Sequence, residues 1–278
     1  MNLADASQYF DKELVYDAYT SELLFKCQLS SFDDSSSSGA TSRRRVLSVA
    51  PSTVLPTRKA ITILGTTWVG GNGDADGFFG APVRANFNLK RSTGLISVLT
   101  PAEACGGLLG VPSHAHMKHF KETVDTQTSS EYSNFWYVFF PTSEAAVTGR
   151  FLRAGLTLYR VRNHWESEDG FLVAEADQLT TDALKTVVFI TQGSYNVIAD
   201  TYPVVNVTVQ AIAMAIPKFY RLEDAAEDYE KAGDISLFVP KLSVTPTKGA
   251  TVMIDGEDWR VISLVDEKDA WAMHMRRA

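Results

Sequence analysis

Short apolar runs that alternate with polar residues dominate the second half of the chain. Phe135-Trp136-Tyr137-Val138-Phe139-Phe140, Arg150 to Arg162, Gly170 to Ala174 and Leu184 to Thr191 carry the aromatic and branched side chains of strands. The same pattern returns at Asp234 to Val239, Thr251 to Ile254, Trp259 to Val265 and Ala270 to Met275. Upstream, Tyr16 to Leu29, Val46 to Val49 and Ala60 to Leu64 read as strand material, the last two separated by Pro51 and Pro56. Val204 to Ile216 is apolar over a length that fits strand or helix. Helical spacing is confined to Ala4–Leu14, which Asp5 can cap, to an acidic run over Leu222–Ala232, and to a turn within 101–110 that Gly106, Gly107 and Pro112 curtail. Asp33-Asp34 and the serine run to Gly39 form a polar loop with nothing to bury. Gly65 to Arg91 is rich in glycine and aromatics and reads as a long loop or an extended hairpin.

Two stretches repeat at an offset of 100 residues. Gly149, Tyr159-Arg160-Val161 and Phe171 in the first match Gly249, Trp259-Arg260-Val261 and Trp271 in the second. Phe139-Phe140-Pro141 matches Phe238-Val239-Pro240 after a slip of one residue. Asp255-Gly256 between two β runs is a tight-hairpin signal. A small meander needs further strands to cover its apolar face. The pattern therefore predicts a mainly β protein of two tandem small β-barrel or sandwich-like domains, born of an internal duplication, with few short helices. The first domain, residues 1–185, would carry long loop insertions over about 65–130; the second would be residues 186–278.

Composition narrows the class. Hydrophobic residues at 45% and charged residues at 21% suit a folded globular chain rather than a disordered one. No apolar run reaches the length of a membrane span, and the first residues lack the basic and apolar regions of a signal peptide. Cys27 and Cys105 make no disulfide framework and fit a reducing compartment. A net charge of -7 argues against a general phosphate grip on nucleic acid. Arg43-Arg44-Arg45 and Arg276-Arg277 are the local exceptions, able to touch DNA or an acidic partner.

Candidate chemistry is sparse. His114, His116 and His119 cluster, with Cys105 upstream, but without a recognised zinc spacing. On a strand, His114 and His116 share a face. Asn72-Gly73-Asp74-Ala75-Asp76-Gly77 resembles the first half of a calcium loop, yet Val83 stands where the closing glutamate belongs. Ser113 beside His114 lacks the Gly-x-Ser-x-Gly elbow, and the glycine-rich segment lacks a phosphate-loop ending. Glu223, Asp224, Glu227, Asp228 and Glu230 make a solvated face more simply than opposed catalytic carboxylates. Trp259 and Trp271, with Tyr159 and Phe171 as counterparts, are expected in the core. The sequence thus assigns no catalytic residue, no cofactor and no metal site; whether His114/His116/His119 or Asp74/Asp76 hold a metal stays open. The expected class is a protein that is not an enzyme.

The stretch Lys248-Gly249-Ala250-Thr251-Val252-Met253-Ile254-Asp255-Gly256-Glu257-Asp258-Trp259-Arg260-Val261-Ile262, followed by Trp271-Ala272-Met273-His274-Met275-Arg276, resembles the C-terminal hairpin of tailed-bacteriophage head-tail joining and head-completion proteins. A fainter echo lies at 140–175. The resemblance implies a compact β-barrel and a structural protein of the virion neck, such as a connector, adaptor, head-closure or collar component. Such a protein forms a homo-oligomeric ring between a portal or connector protein on the head side and a tail-tube or terminator protein on the tail side. Genomic DNA would pass through its lumen without sequence-specific binding, assembly would take place in the host cytoplasm, and no membrane would be involved. Two alternatives stay open: a tail terminator or tail completion protein, and a carbohydrate- or ligand-binding β protein with a possible hydrolase role.

Overall fold

Alternation closes each group of six strands into a barrel. The computed structural model describes residues 13–32, 44–50, 53, 55, 60–78, 81–126, 129–141, 147–192, 197–200, 203–215, 233–241, 245–267 and 269–278. Barrel 1 is built from β1 (Glu13–Asp17), β2 (Leu23–Phe32), β3 (Arg44–Val49), β4 (Ala60–Ile63), β5 (Thr66–Phe78) and β6 (Ala81–Arg91), in the order β1-β2-β3-β6-β5-β4. Barrel 2 uses β7 (Gly94–Leu99), β8 (Pro112–Thr126), β9 (Ser129–Pro141), β10 (Phe151–Ala154), β11 (Thr157–Glu166) and β12 (Phe171–Gln178). Barrel 3 uses β13 (Leu184–Gln192), β14 (Val204–Ala215), β15 (Ile235–Pro240), β16 (Thr251–Ile254), β17 (Glu257–Asp266) and β18 (Ala270–Arg277). All three share one strand order: two three-stranded meanders joined third strand to sixth and first to fourth. Closure leaves no free sheet edge.

The expectation of two domains is therefore corrected to three closed barrels, and the supposed insertion over 65–130 is corrected to strands of barrels 1 and 2. Gly65 to Arg91 is the long β5–β6 hairpin. The two copies seen in the sequence are barrels 2 and 3. Register also moves one equivalence. Phe139 pairs with Val173, and Phe238 with Ala272, so Phe171 corresponds to Ala270 and Leu172 to Trp271.

Each interior is filled by the inward residues of its strands. Val15, Cys27, Leu47, Val49, Ile61, Ile63 and Leu89 form the core of barrel 1. Val187, Leu237, Val239, Val252, Val261, Met273 and Met275 form that of barrel 3, with Trp259 and Trp271 packed against it. Ala115, Val138, Phe140, Val161, Leu172, Ala174 and Ala176 are buried in barrel 2. Val204 to Ala215 is strand; its branched residues alternate against β13 and β15. The only helix among the described residues is α1 (Pro101–Cys105), closed by a capping box between Thr100 and Glu103. Leu14, expected at the end of a helix, lies in β1; residues 1–12, the serine loop and Leu222–Ala232 fall outside the described residues.

The tight turn of the fourth-to-fifth-strand hairpin recurs in all three barrels. Leu64-Gly65 has φ of 49° and 69°, and Asp255-Gly256 has 49° and 85°. Both residues of each pair sit in the left-handed region, which suits the twist of a two-residue hairpin. Gly155 takes the first position in barrel 2. Leu64 is exposed and has no packing to offset its left-handed backbone, which costs a non-glycine residue roughly 1–2 kcal/mol. Leu64→Asn is expected to raise the stability of barrel 1 by about 0.5–1 kcal/mol, read as a higher urea midpoint.

By internal contacts the chain divides into two units. The first holds residues through Val98, Val111–Thr148 and Tyr159–Gln178; the second holds Leu99–Gly110, Gly149–Leu158 and Leu179–Ala278.

Candidate functional site

In the first unit the histidines join two barrels. Barrels 1 and 2 are separated by two residues, Ser92 and Thr93, and β8 receives this linker. The Thr93 amide donates to the Ala115 carbonyl at 2.9 Å, and the Met117 amide to Thr93 Oγ1 at 2.8 Å. His114 Nδ1 lies 3.2 Å from Ser92 Oγ, its amide donates to the Tyr19 hydroxyl at 2.9 Å, and its ring packs on Tyr19. His116 Nδ1–H donates to the Arg91 carbonyl at 2.7 Å, which fixes the tautomer of the neutral ring, and the ring leans on Phe139. His114 and His116 do share a face; His119 lies on the other, against Trp136. Cys105 belongs to the second unit, where its Sγ lies 3.8 Å from the Phe238 carbonyl. Among the described residues no three His, Cys, Asp or Glu side chains converge as metal ligands would.

Burial lowers the pKa of both His114 and His116; Lys90 and Lys118 lower His116 further, against the Arg91 hydrogen bond. A histidine whose pKa is lowered by folding contributes its full stability above the unfolded value of 6.5 and loses it as pH falls below that value toward the folded one. The first unit is expected to weaken between pH 7 and 5.5. His116→Asn, which keeps a donor for the Arg91 carbonyl, should flatten that dependence. Urea midpoints of the whole chain at the two pH values are the measurement.

The three barrels present different residues at one equivalent outward position. In barrel 2 the cross-strand trio is His116, Phe139 and Val173. Barrel 1 covers it: the Lys90 ammonium sits 4.5 Å from the Phe139 ring and 5.2 Å from the Phe171 ring. In barrel 3 the trio is Ile212, Phe238 and Ala272. Within the second unit it is covered by Leu99, Ala104, Cys105, Phe151 and Leu158. In barrel 1 the trio is Gln28, Ser48 and Asn86, with Ser48 Oγ donating to Asn86 Oδ1 at 2.7 Å. Ser48 is buried there, its hydroxyl satisfied by Asn86. Phe171, expected in a core, is buried on this outer face instead; Tyr159 points inward against Trp136.

Barrel 3 carries two further features. One end holds a cavity of about 340 Å³, floored by Ala183, Ala213, Met214, Ile235 and Ile254, with Trp259 as one wall. Its rim is charged. Lys185 Nζ lies 3.1 Å from Asp255 and 3.7 Å from Asp182, and Glu257 is paired with Arg277. Asp255 also accepts the Thr186 amide, so the turn is clipped to β13. The β13–β14 hairpin forms the second feature: Ile190, Val197, Ile198, Val204 and Val205 are exposed. Sequence reasoning gave none of these residues a place in a cavity or an exposed patch: Trp259 is expected in the core, Asp255 in a hairpin turn and Arg277 beside DNA or an acidic partner. The adjacent Val204-Val205 pair was the available signal, since it places an apolar group on both faces of one strand.

The remaining candidates resolve locally. Asp74 and Asp76 lie in the extended backbone of β5, paired with Asn86 and Arg84 of β6, where no calcium-loop turn exists; their side chains, with those of Arg44 and Arg45, fall outside the described ones. Ser113 is buried. Arg43 and the acidic run 223–230 lie outside the described residues. Arg276 is engaged by Asp234, whose side chain is almost wholly buried: Nη2 lies 2.8 Å from Oδ2, and His274 Nε2 shares that oxygen at 2.8 Å. Comparison of the chain with family models, with curated proteins and with solved structures returns no match.

Proposed function

We propose that this chain is a structural, non-catalytic assembly protein that forms a homo-oligomeric ring in the neck of a tailed phage. It would sit between a portal or connector protein and the tail-tube or terminator protein, and be assembled in the host cytoplasm. DNA would pass through the ring without sequence-specific contact. The observation that carries this reading is the β13–β14 hairpin. Among its described residues Ile190, Val197, Ile198, Val204 and Val205 are exposed, and a group of exposed apolar side chains suits an interaction surface. Three closed barrels whose interiors are filled by their own side chains suit a mechanical part. A tail terminator would share these features.

A ligand-binding role is the second reading. Trp165, Tyr137, Phe120 and Phe135 clad the outer face of barrel 2, with Arg162 stacked 4.6 Å from the Phe135 ring. Solution mass over a concentration series separates the two. The assembly reading expects growth into large species unaffected by chelator. A monomer at every concentration that binds oligosaccharide favours the second.

A further inference from the structure

We infer that the seam between barrels 1 and 2 is an acid-opened joint: as pH falls below neutral, barrel 1 turns away from barrel 2 about the peptide between Ser92 and Thr93, while both barrels stay closed. The joint works within one chain, whatever that chain assembles into.

Both barrels lie in the first unit, and the pivot between them is short. The Ser92 amide donates to the Thr67 carbonyl of β5 at 2.9 Å, and the Thr93 amide to the Ala115 carbonyl of β8 at 2.9 Å. By its amide Ser92 belongs to barrel 1, and Thr93 to barrel 2. A change of backbone dihedrals between them moves one barrel against the other without breaking a strand ladder of either. What holds the seam shut is side-chain contact. The Tyr19 hydroxyl accepts the His114 amide, Ser92 Oγ meets His114 Nδ1, and His116 Nδ1–H donates to the Arg91 carbonyl.

Charge decides the response to acid. The His116 ring lies 5.6 Å from the Phe139 ring, and the Lys90 ammonium of barrel 1 sits 4.5 Å from that same ring. A proton on His116 therefore sets a second cation beside the ring that Lys90 already occupies. Burial is the main force keeping both histidines neutral, and Lys90 and Lys118 add to it at His116. Among the described side chains, the other charged or titratable groups on the elements packed here are Arg91 of β6, Tyr137 of β9, Glu175 of β12 and Asp169 in the turn before β12, with Asp17, Tyr19 and Glu22 at the β1–β2 turn. Asp17 accepts the Tyr19 and Thr20 amides, Glu175 pairs with Arg162, and Asp169 offers its backbone carbonyl to Asn88.

The sign follows from linkage. A histidine held neutral in the closed seam stabilises it above the free value of 6.5 and ceases to do so as pH falls below that value. One such histidine, free to charge once the seam opens, raises the opening constant about tenfold between roughly pH 7.5 and 5.5. No histidine is among the buried residues of either barrel, so acid in this range acts on the seam and leaves the cores alone. Opening uncovers Phe139 and Phe171, the apolar face under Lys90.

The test measures the distance between two spin labels in the full chain, at Leu64→Cys on barrel 1 and Glu166→Cys on barrel 2, both exposed sites. Labelled chains are diluted with unlabelled wild type, so that each distance is read within one chain. The native thiols stay unlabelled: Cys27 and Cys105 are buried, with pKa pushed up to about 12. A single distance at about pH 7.5 is expected to be joined at about pH 5.5 by a longer one, the ratio of long to short rising about tenfold. Adding His114→Asn and His116→Asn together should abolish that rise. Cys27, inside the core of barrel 1, should stay closed to an acid-tolerant pyridyl disulfide at both pH values. An unchanged distance in the wild-type background overturns the joint, as does an equal rise without the two histidines. Reaction of Cys27 in step with the distance change also overturns it, since barrel 1 itself would then be unfolding.

Discussion

Phe151→Ala is expected to remove about 3–5 kcal/mol from the second unit, the cost of truncating a fully buried phenylalanine. Phe151 is wholly inaccessible. Its ring meets Phe238 edge to face at 6.1 Å, inside the cluster of Leu99, Ala104, Cys105, Leu179, Ala183 and Ile212. Truncation opens a cavity at the centre of that cluster and forfeits the aromatic pair, itself worth about 0.5–1.5 kcal/mol. Two of the neighbours that would have to collapse inward, Ile212 and Phe238, belong to β14 and β15, which are held in register by their own ladders. Urea unfolding followed by hydrogen exchange over 179–278 reads the effect. A loss under about 1 kcal/mol would contradict the packing described here.

Gly71→Ala is expected to separate barrel 1 from barrel 2. A Cβ at Gly71 would lie 2.2 Å from the Asp169 carbonyl oxygen and 3.0 Å from the Phe171 ring. The oxygen is backbone and cannot swing aside. Its turn is fixed by the Ser167 amide on the Phe171 carbonyl, the Gly170 amide on the Ser167 carbonyl, and the Phe171 amide on Ser167 Oγ. Glycine is needed at 71 for close approach rather than for a left-handed backbone. The expected cost is about 1–3 kcal/mol, the range of overpacking. Part of it is the Asn88 side-chain bond to the same carbonyl, 3.5 Å long in the intact protein. The readout is proteolysis at the Ser92-Thr93 linker, whose hydrogen bonds to β8 protect it in the wild type. Cleavage should rise in the variant, and unchanged protection would show that the barrels do not seat through Gly71.

How much of this was legible depended on whether the information was local. Phe135 to Phe140 is an unbroken run of aromatics and one valine, and Trp259 to Val265 is apolar except at Arg260 and Ser263, so their strands could be read directly. Barrel 1 carries a weaker local signal, because β5 has Gly70, Gly71 and Gly73 where β17 of barrel 3 has Val261, Ile262 and Leu264. Its hairpin also lies 91 residues before that of barrel 2, Trp68 against Tyr159, rather than 100. Which strand closes onto which is set by pairing across the barrel, information that no local window holds. The one-residue slip at Phe139 and Phe238 was visible; its consequence for Phe171 and Trp271 followed only from the register of β12 and β18.

The histidines show the same limit at the site. That His114 and His116 share a face follows from strand period alone. That this face meets Arg91, Ser92 and Tyr19 of the preceding barrel depends on tertiary placement. A cluster of imidazoles reads equally well as metal ligands or as hydrogen-bonding clamps until its partners are known. The exposure of Val204 and Val205 has a simpler cause of obscurity: apolar residues at a strand end have the same local pattern as core residues, and only burial separates them.

Single-particle imaging of the species formed at high protein concentration tests the central claim most directly. The account predicts closed rings in which every chain contributes three barrel-sized densities, with neighbouring chains joined at the third. Monomers at every concentration, or rings joined through barrel 1 at the Gln28–Ser48–Asn86 face, would contradict it.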